Sequence, residues 1–204
     1  PRPDAIQSFT RQETPFVRLI DADGAEGLGY SYTIGTGGSS VMALLTDHLL
    51  PRLIGAEAAE IERLWRELKF HVHALQPGAV LALALAAIDT ALWDLRCRRA
   101  GLPLHRLAGG AKPAIPVYST EGGWLHVEPE ALVDDALAVQ KEGFLGCKVK
   151  VGRPHVSEDV ARLEAVRHAV GPAFEIFTDA NQAFSPDEAI RRARAMEPLD
   201  VGGF

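Results

Sequence analysis

The chain has 204 residues, of which 47% are hydrophobic and 24% charged, a composition typical of a globular protein rather than a disordered one. Its formal net charge of −6, with no dense basic stripe, argues against nucleic acid as the main partner. The longest apolar run, residues 79–88, is too short to span a bilayer, and Cys97 and Cys147 lie in unrelated sequence contexts. We therefore expect a cytoplasmic protein without a disulfide framework or a membrane span.

The first hundred residues predict an α+β arrangement in which an antiparallel hairpin precedes several helices. Alternating polar and apolar residues on both sides of a turn at Asp23 and Gly24 indicate the hairpin, and Ser40 is placed to cap the next helix. The predicted strands cover residues 14–22 and 27–34, and the predicted helices cover residues 41–50, 57–70 and 79–100.

After residue 110, strands and helices alternate, which indicates βα units and a parallel sheet. Ser157 and Ser185 are placed to begin the second and third of these helices. The predicted strands cover residues 115–120, 147–151, 174–181 and 201–204, and the helices cover residues 130–143, 157–170 and a segment from residue 185 onward. Three such units predict the first half of a (β/α)₈ TIM-type barrel.

The predicted organisation is therefore an α+β domain over residues 1–110, followed by an incomplete barrel over residues 111–204. Half a barrel leaves an open parallel edge that must be covered. Because the chain starts at Pro1 without a methionine and its last residues resemble the start of a strand, we expect it to be truncated.

A chemical motif lies in the second barrel strand. Lys148 and Lys150 share one face of this strand, because successive side chains point to opposite faces, whereas Cys147 and Val149 share the other face. Strands of a parallel sheet are normally apolar on both faces. Two ammonium groups on one face are therefore costly unless they serve a site.

Asp179 and Asn181 end the next predicted strand and also share a face. Because catalytic groups of such barrels lie at the carboxyl ends of neighbouring strands, we expect the lysines and this carboxylate to converge on one cavity. A lysine beside another cation in a partly dry pocket has its neutral form favoured and can act as a base. A strand-end carboxylate can bind a hard divalent cation. The combination suggests proton abstraction next to a carboxylate, although each motif alone is usually a solvated strand end or a turn.

Two motifs together, Gly-Cys-Lys-Val-Lys-Val-Gly at residues 146–152 and Phe-Thr-Asp-Ala-Asn-Gln at residues 177–182, resemble the mandelate racemase branch of the enolase superfamily. The helix with Ala-Ile-Asp-Thr-Ala-Leu-Trp-Asp at residues 87–94, followed by Gly-Leu-Pro-Leu and Leu-Ala-Gly-Gly, is similar to the stretch that joins that family's capping domain to its barrel. The resemblance to this mandelate racemase/muconate lactonizing enzyme-like family covers nearly the whole chain in order. The resemblance implies that residues 1–110 form an α+β capping domain.

The resemblance implies a role for each residue of the two motifs. Lys150 would be the base that removes the α-proton of a carboxylate substrate, and Lys148 would ease its deprotonation and contact the substrate carboxylate. Asp179 would be the first Mg²⁺ ligand, and Asn181 a substrate contact. The pairing of a lysine or histidine base with Mg²⁺ is an established property of the enolase superfamily.

The loop at residues 30–38 corresponds to a capping-domain loop that closes over the barrel mouth, which makes Tyr32 and Thr33 candidate substrate-binding residues. A plain surface connection is an equally good interpretation of this loop. The family also uses two more acidic metal ligands and a His–Asp pair on later strands, which we expect beyond Phe204. Among the seven histidines, only His155 is placed to line the barrel mouth.

The implied activity is magnesium-dependent abstraction of the α-proton of a 2-hydroxy acid or acid sugar, which gives an enediolate, followed by racemisation or dehydration. The implied partner is a small carboxylate substrate, not nucleic acid or a membrane, and a homo-oligomer is expected. Two alternatives remain open at this point. The chain would be an inactive fragment or pseudoenzyme that acts as a binding module, or a barrel enzyme in which Lys148 or Lys150 forms a Schiff base.

Overall fold

The computed structural model of the chain describes residues 2–75 and 78–203. The chain divides into two compact units, one formed by Arg11–Pro113 and the other by Pro1–Thr10 together with Ala114–Phe204. Within the described part of the chain, every helix is too short or too polar to cross a membrane.

The structure contains seven strands and seven α-helices in its described residues. The strands are β1 (Arg2–Pro3), β2 (Ser8–Phe9), β3 (Phe16–Ile20), β4 (Glu26–Tyr30), β5 (Tyr118–Ser119), β6 (Gly146–Lys150) and β7 (Glu175–Asp179). The α-helices are α1 (Gly38–Ala43), α2 (Ile61–His71), α3 (Ala79–Ala100), α4 (Leu104–Leu107), α5 (Pro129–Lys141), α6 (Val156–Val170) and α7 (Pro186–Met196). A π-helical segment (Leu44–Leu49) and two 3₁₀ turns (Leu50–Arg52 and Glu197–Leu199) complete the helical structure.

In the first unit, the antiparallel hairpin β3–β4 packs directly on α3. Glycines make this close approach possible: a Cβ atom on Gly27 would lie 2.1 Å from the carbonyl oxygen of Ala91, and one on Gly29 would lie 2.0 Å from that of Ala87. The carboxylate of Asp94 accepts a hydrogen bond from the backbone N–H of Leu28 at 2.8 Å. The predicted helix over residues 79–100 is confirmed, and it forms the centre of this unit's core.

The prediction that Ser40 caps the first helix is wrong. The helix begins at Gly38, three residues before the predicted start at Val41, and the backbone N–H of Gly38 donates instead to Oε2 of Glu13 at 2.9 Å. A carboxylate from a distant part of the sequence thus replaces the local hydroxyl as the acceptor, which a local cap pattern cannot indicate.

In the second unit, three parallel strands form a sheet in the order β5–β6–β7. Apolar residues of β6 and β7, and Val151 directly after β6, join those of α5 and α6 in one buried core. Its residues include Leu132, Ala136, Val139, Cys147, Val149, Val151, Leu163, Val166, Val170 and Ile176. Strand β5 has only two residues where six were predicted. Pro116 has no N–H with which to extend the ladder.

The chain after residue 200 runs beside β7, where a fourth strand was predicted. The backbone N–H of Gly202 donates to Ile176 O at 2.8 Å, and that of Thr178 donates to Gly203 O at 2.9 Å. The pairing is parallel and is limited to a single bridge between Phe177 and Gly203. Phe204 lies outside the described residues.

Of the two serine caps predicted for the helices that follow β6 and β7, the structure contains one. Ser185 caps α7, because its Oγ accepts from the N–H of Glu188 at 3.4 Å, as predicted. The prediction for Ser157 is wrong, since His155 occupies the cap position of α6 and donates its backbone N–H to Glu158 Oε2 at 2.8 Å. The side chain of the third residue, Glu158, thus closes this helix start.

Candidate active site

Strand β6 separates apolar from charged side chains. Cys147 and Val149 point into the core shared with α5 and α6, so the alternation of the strand directs Lys148 and Lys150 to the opposite face. The side chain of Lys150 is only 8% exposed and that of Lys148 is 22% exposed. The sheet therefore holds two ammonium groups that are largely removed from water.

Asp179 supplies the counter-charge. It is the register partner of Lys150 on β7, and its Oδ2 lies 2.6 Å from Lys150 Nζ and 3.0 Å from Lys148 Nζ. One carboxylate oxygen therefore contacts both ammonium groups at the carboxyl end of the sheet. Such charge-assisted contacts are short and strong when they are shielded from water.

The turn after β7 brings Asn181 back to the same place. Asn181 and Gln182 both have left-handed backbone conformations, with φ of 50° and 66°. The backbone N–H of Asn181 donates to Asp179 Oδ1 at 2.9 Å, while its side-chain Oδ1 accepts a hydrogen bond from Lys150 Nζ. Two consecutive residues in this conformation are costly, and such strain is concentrated at functional sites.

The Asp179 carboxylate is anionic over the whole physiological range. Burial by itself raises the pKa of Asp179, but hydrogen bonds from Lys150, from the N–H of Asn181 and from Lys148 outweigh that effect and lower the pKa to about 2. At neutral pH the cluster therefore presents one anionic carboxylate in contact with two ammonium groups. This charge distribution suits a ligand that is itself polar or charged.

Trp124, which the sequence patterns did not single out, also contacts the cluster. It follows β5, and its ring centre lies 5.4 Å from Lys150 Nζ, within the range of a cation–π contact. The edge of Phe9 packs against the same ring at 5.9 Å between centroids. The sequence signal for this residue is its position, because Gly122-Gly123-Trp124 follows strand β5 as Asn181 follows strand β7.

A glycine allows the loop of Trp124 to lie against β6. A Cβ atom on Gly123 would lie 2.0 Å from the carbonyl oxygen of Lys148, so no other residue fits without a shift of the backbone. The backbone N–H of Lys150 donates to the carbonyl of Gly123 at 2.7 Å. Trp124 is thereby attached to the strand that carries both lysines.

The structure brings together Lys148, Lys150, Asp179 and Asn181 within one unit. The other two candidates, Tyr32 and Thr33, belong to the unit formed by Arg11–Pro113. Thr33 donates its hydroxyl to Glu13 Oε2 at 2.6 Å, and Tyr32 is exposed.

Asp179 has the chemistry of a magnesium ligand. Mg²⁺ is usually held by one or two carboxylates together with waters and substrate oxygens, so a single hard anionic donor at a strand end fits this ion. Within residues 2–75 and 78–203, no three His, Cys, Asp or Glu side chains are grouped closely enough to hold a metal by themselves. A complete coordination shell therefore needs donors other than those of the described residues.

Comparison with known proteins identifies the class first. Residues 1–109 match the family described as "Mandelate racemase / muconate lactonizing enzyme, N-terminal domain", and residues 131–204 match "Enolase C-terminal domain-like". The chain is thus an enolase-superfamily protein. It belongs to the mandelate racemase/muconate lactonizing enzyme family within that superfamily.

Three similar proteins represent three reaction types. The chain is 42% identical over 190 residues to the 3,6-anhydro-alpha-L-galactonate cycloisomerase of Streptomyces coelicolor, covering 91% of the chain and 51% of that protein. A racemase from Streptomyces coelicolor with bound magnesium superposes with a TM-score of 0.87 at 38% identity, covering 98% of this chain and 57% of the other. An L-talarate dehydratase from Polaromonas, complexed with Mg and L-glucarate, superposes with a TM-score of 0.84 at 35% identity. The match covers 93% of this chain and 53% of the dehydratase. The chain spans about half the length of these relatives.

Proposed function

We propose that this chain carries the base and the first metal ligand of a magnesium-dependent enzyme that abstracts the α-proton of an acid sugar. The observation that carries the proposal is the contact of Lys150 with Asp179 and Asn181 at the carboxyl end of the sheet. Membership of a family whose similar proteins include Mg-bound acid-sugar enzymes supports it.

Lys150 is the base in this proposal. Once Lys150 has lost one proton to become a neutral amine, its Nζ accepts the proton of the substrate carbon next to the carboxylate, and the electron pair of the broken C–H bond moves onto the carboxylate to give an enediolate. Burial of the lysine keeps its amine out of bulk water, and the contacts with Asp179 and Asn181 fix its direction. Proton removal therefore starts from a side chain that is already oriented.

Lys148 and Asp179 stabilise the negative charge of the substrate in this proposal, Lys148 directly and Asp179 through a metal ion. Lys148 lies on the same face as the base and binds a carboxylate oxygen of the substrate through its ammonium group. Asp179 would hold Mg²⁺, which, when bound, supplies Lewis-acid stabilisation of the charge that develops on the substrate carboxylate. The remaining metal ligands, and an acid or base for the opposite face of the substrate, would come from outside the described residues.

The fate of the enediolate distinguishes racemisation from dehydration. Return of a proton to the opposite face inverts the α-carbon, whereas loss of a hydroxyl from the neighbouring carbon gives a dehydrated acid. The similar proteins include a racemase, a dehydratase and a cycloisomerase, so they support the shared first step. Acid sugars are the preferred substrate class, because a similar dehydratase was solved with L-glucarate.

Neither alternative function has comparable support. A Schiff-base enzyme would need Lys148 or Lys150 as a nucleophile towards a carbonyl substrate, whereas two similar proteins were solved with bound magnesium, which a Schiff base does not require. A pseudoenzyme would not need a buried lysine beside a strained Asn181 turn. The similar proteins are enzymes of the isomerase and lyase type.

The experiment that tests the proposal is a substrate screen of the intact protein in deuterated water. Acid sugars and 2-hydroxy acids are incubated with enzyme and Mg²⁺, and the loss of the α-proton signal is followed by NMR. We expect exchange or dehydration with at least one acid sugar, and its abolition by a chelator. If no acid sugar or 2-hydroxy acid exchanges its α-proton in the presence of Mg²⁺, the proposed function is wrong.

A further inference from the structure

A buried arginine behind the sheet connects helix α6 to the loop that carries Trp124. We propose that Arg162 is a positioning residue, which holds the indole of Trp124 against the ammonium group of Lys150 and so defines one wall of the substrate site. The proposal rests on the assignment of Lys150 as the base. It adds two residues, Arg162 and Trp124, that the family motifs do not include.

The contacts of Arg162 end on the backbone of one loop. Its side chain is buried on α6, Nη2 donates to the carbonyl of Trp124 at 3.0 Å, and Nη1 donates to the carbonyl of Val127. The guanidinium group therefore spans the loop between β5 and α5 from Trp124 to Val127. Its planar fork is suited to hold two acceptors at a fixed separation.

The position of Arg162 is energetically unfavourable for a purely structural cation. Burial lowers its pKa, Arg153 lowers it further, and Asp159 and Glu128 oppose that effect. Within the described residues its Nε is buried and has no hydrogen-bond partner. A buried charge is costly unless its donors are paired, so the hydrogen bonds of Arg162 to the carbonyls of Trp124 and Val127 are the contacts that offset this cost.

A second arginine fixes the same loop to the strand of the lysines. Arg153 follows β6, and its guanidinium group donates to the carbonyl of Leu125, next to Trp124. Its backbone N–H donates to the fully buried Asp159 at 3.2 Å, and Asp159 also accepts from the N–H of Gly152 at 2.9 Å. Residues of α6 therefore hold both the loop of Trp124 and the segment directly after Lys150.

Trp124 is the element of this arrangement that reaches the reacting atom. Its ring face lies over Lys150 Nζ, and the ring of Phe9 makes a T-shaped contact with the same indole. An indole in this position excludes water from one side of the amine and leaves the opposite side to the substrate. A displacement of about 1 Å in such a group can reduce turnover about 100-fold.

A double-mutant cycle in the intact enzyme tests the proposal. We expect Arg162→Met to lower kcat about 10- to 100-fold while KM changes little, because the wall is displaced but the substrate ligands remain. In a Trp124→Ala background the same substitution should lower kcat by less than about twofold, because the residue through which Arg162 acts is gone. Equal losses in both backgrounds would overturn the proposal.

Arg167 provides a matched control on the same helix. Its guanidinium group donates to carbonyls that precede β7 or follow α7, at the opposite end of the sheet from Lys150, namely those of Gly171, Phe174, Leu199 and Asp200. We expect Arg167→Met to lower the melting temperature as Arg162→Met does, with kcat unchanged. A loss of kcat in Arg167→Met as large as in Arg162→Met would show that general destabilisation explains both.

A readout that needs no activity separates this proposal from the proposed function. Within residues 1–204, Trp65→Phe and Trp93→Phe leave Trp124 as the one indole. With any tryptophan outside these residues also replaced by phenylalanine, quenching of the fluorescence by acrylamide reports the exposure of the Trp124 ring. We expect acrylamide quenching to rise in Arg162→Met and to stay unchanged in Arg167→Met. If Arg162→Met does not fold, Arg162→Lys serves as a milder variant and should show a smaller rise in quenching. Unchanged quenching in a folded Arg162 variant would contradict the positioning role. Absence of α-proton exchange in the wild type would instead remove the proposed function and leave the quenching result valid.

Discussion

Lys150 and Asp179 are directly paired in the register of two neighbouring parallel strands, and Lys150 Nζ lies 2.6 Å from Asp179 Oδ2. Lys148, two residues earlier on the same face, reaches the same oxygen at 3.0 Å. A cluster of this kind follows from the strand period and the register alone, because both place these side chains at one edge of the sheet. With two positive charges and one negative charge, the cluster suits a ligand that is itself polar or charged.

Asp179→Asn should weaken the binding of Mg²⁺ at least about tenfold, because it removes the anionic oxygen from the proposed ligand set. Titration calorimetry of the intact protein with MgCl₂ measures the effect. Asp187→Asn is the matched control, since Asp187 is exposed in the first turn of α7 and its loss should leave the affinity unchanged. An unchanged affinity in Asp179→Asn would remove this residue from the metal ligands.

The contribution of Asp179 to stability should depend on pH in a defined direction. Its pKa is lowered from 3.8 to about 2 in the folded state, so its stabilising effect is complete above the unfolded value and is lost as the pH falls through about 2. The difference in unfolding free energy between wild type and Asp179→Asn should therefore shrink between about pH 5 and pH 2. Urea unfolding without metal at both pH values checks this, and a constant difference would contradict the lowered pKa.

Substitutions of Asn181 should separate its backbone role from its side-chain role. Its φ of 50° is tolerated by glycine but costs alanine about 1 kcal/mol, so Asn181→Ala should be less stable than Asn181→Gly by about that amount. Both variants lose the hydrogen bond with Lys150, so both should lower kcat to a similar extent. Full activity in Asn181→Gly would show that only the turn matters.

The two cysteines should differ in reactivity. Burial, together with the nearby Asp135 carboxylate, raises the pKa of Cys147 to about 11, so its thiol stays protonated and shielded near pH 8. Cys97 is partly exposed. A thiol reagent should therefore modify Cys97 in the native protein and Cys147 only after denaturation, as measured by peptide mass mapping of the two residues. Fast modification of Cys147 in the native state would show that the core around β6 is not closed.

The elements that depend on local sequence patterns could be predicted from the sequence. The helix at residues 79–100 follows from its apolar run and from Gly101 and Pro103 after its end, and the shared face of Lys148 and Lys150 follows from the strand period of 2 residues. The position of Asp179 beside them follows from the βα alternation, because parallel strands end at one edge. The roles of these residues stay predictions until the variants are measured.

Features that depend on contacts between distant segments could not be predicted in this way. Glu13 takes the place of Ser40 at the start of α1 through a hydrogen bond across 25 positions in the sequence. Trp124 reaches Lys150 only because Gly123 lies against β6 and Arg162 holds the loop from behind. These relationships leave no periodic pattern in the sequence.

The most direct test of the central claim is α-proton exchange by Lys150→Ala in the intact protein. With an acid sugar that the wild type exchanges or converts in deuterated water with Mg²⁺, we expect the variant to lose exchange by at least about 1,000-fold, since both base and geometry are lost. Lys141→Ala, on the exposed end of α5, should behave as the wild type. Exchange at the wild-type rate in Lys150→Ala, with either enantiomer at the α-carbon, would contradict the assignment of Lys150 as the base.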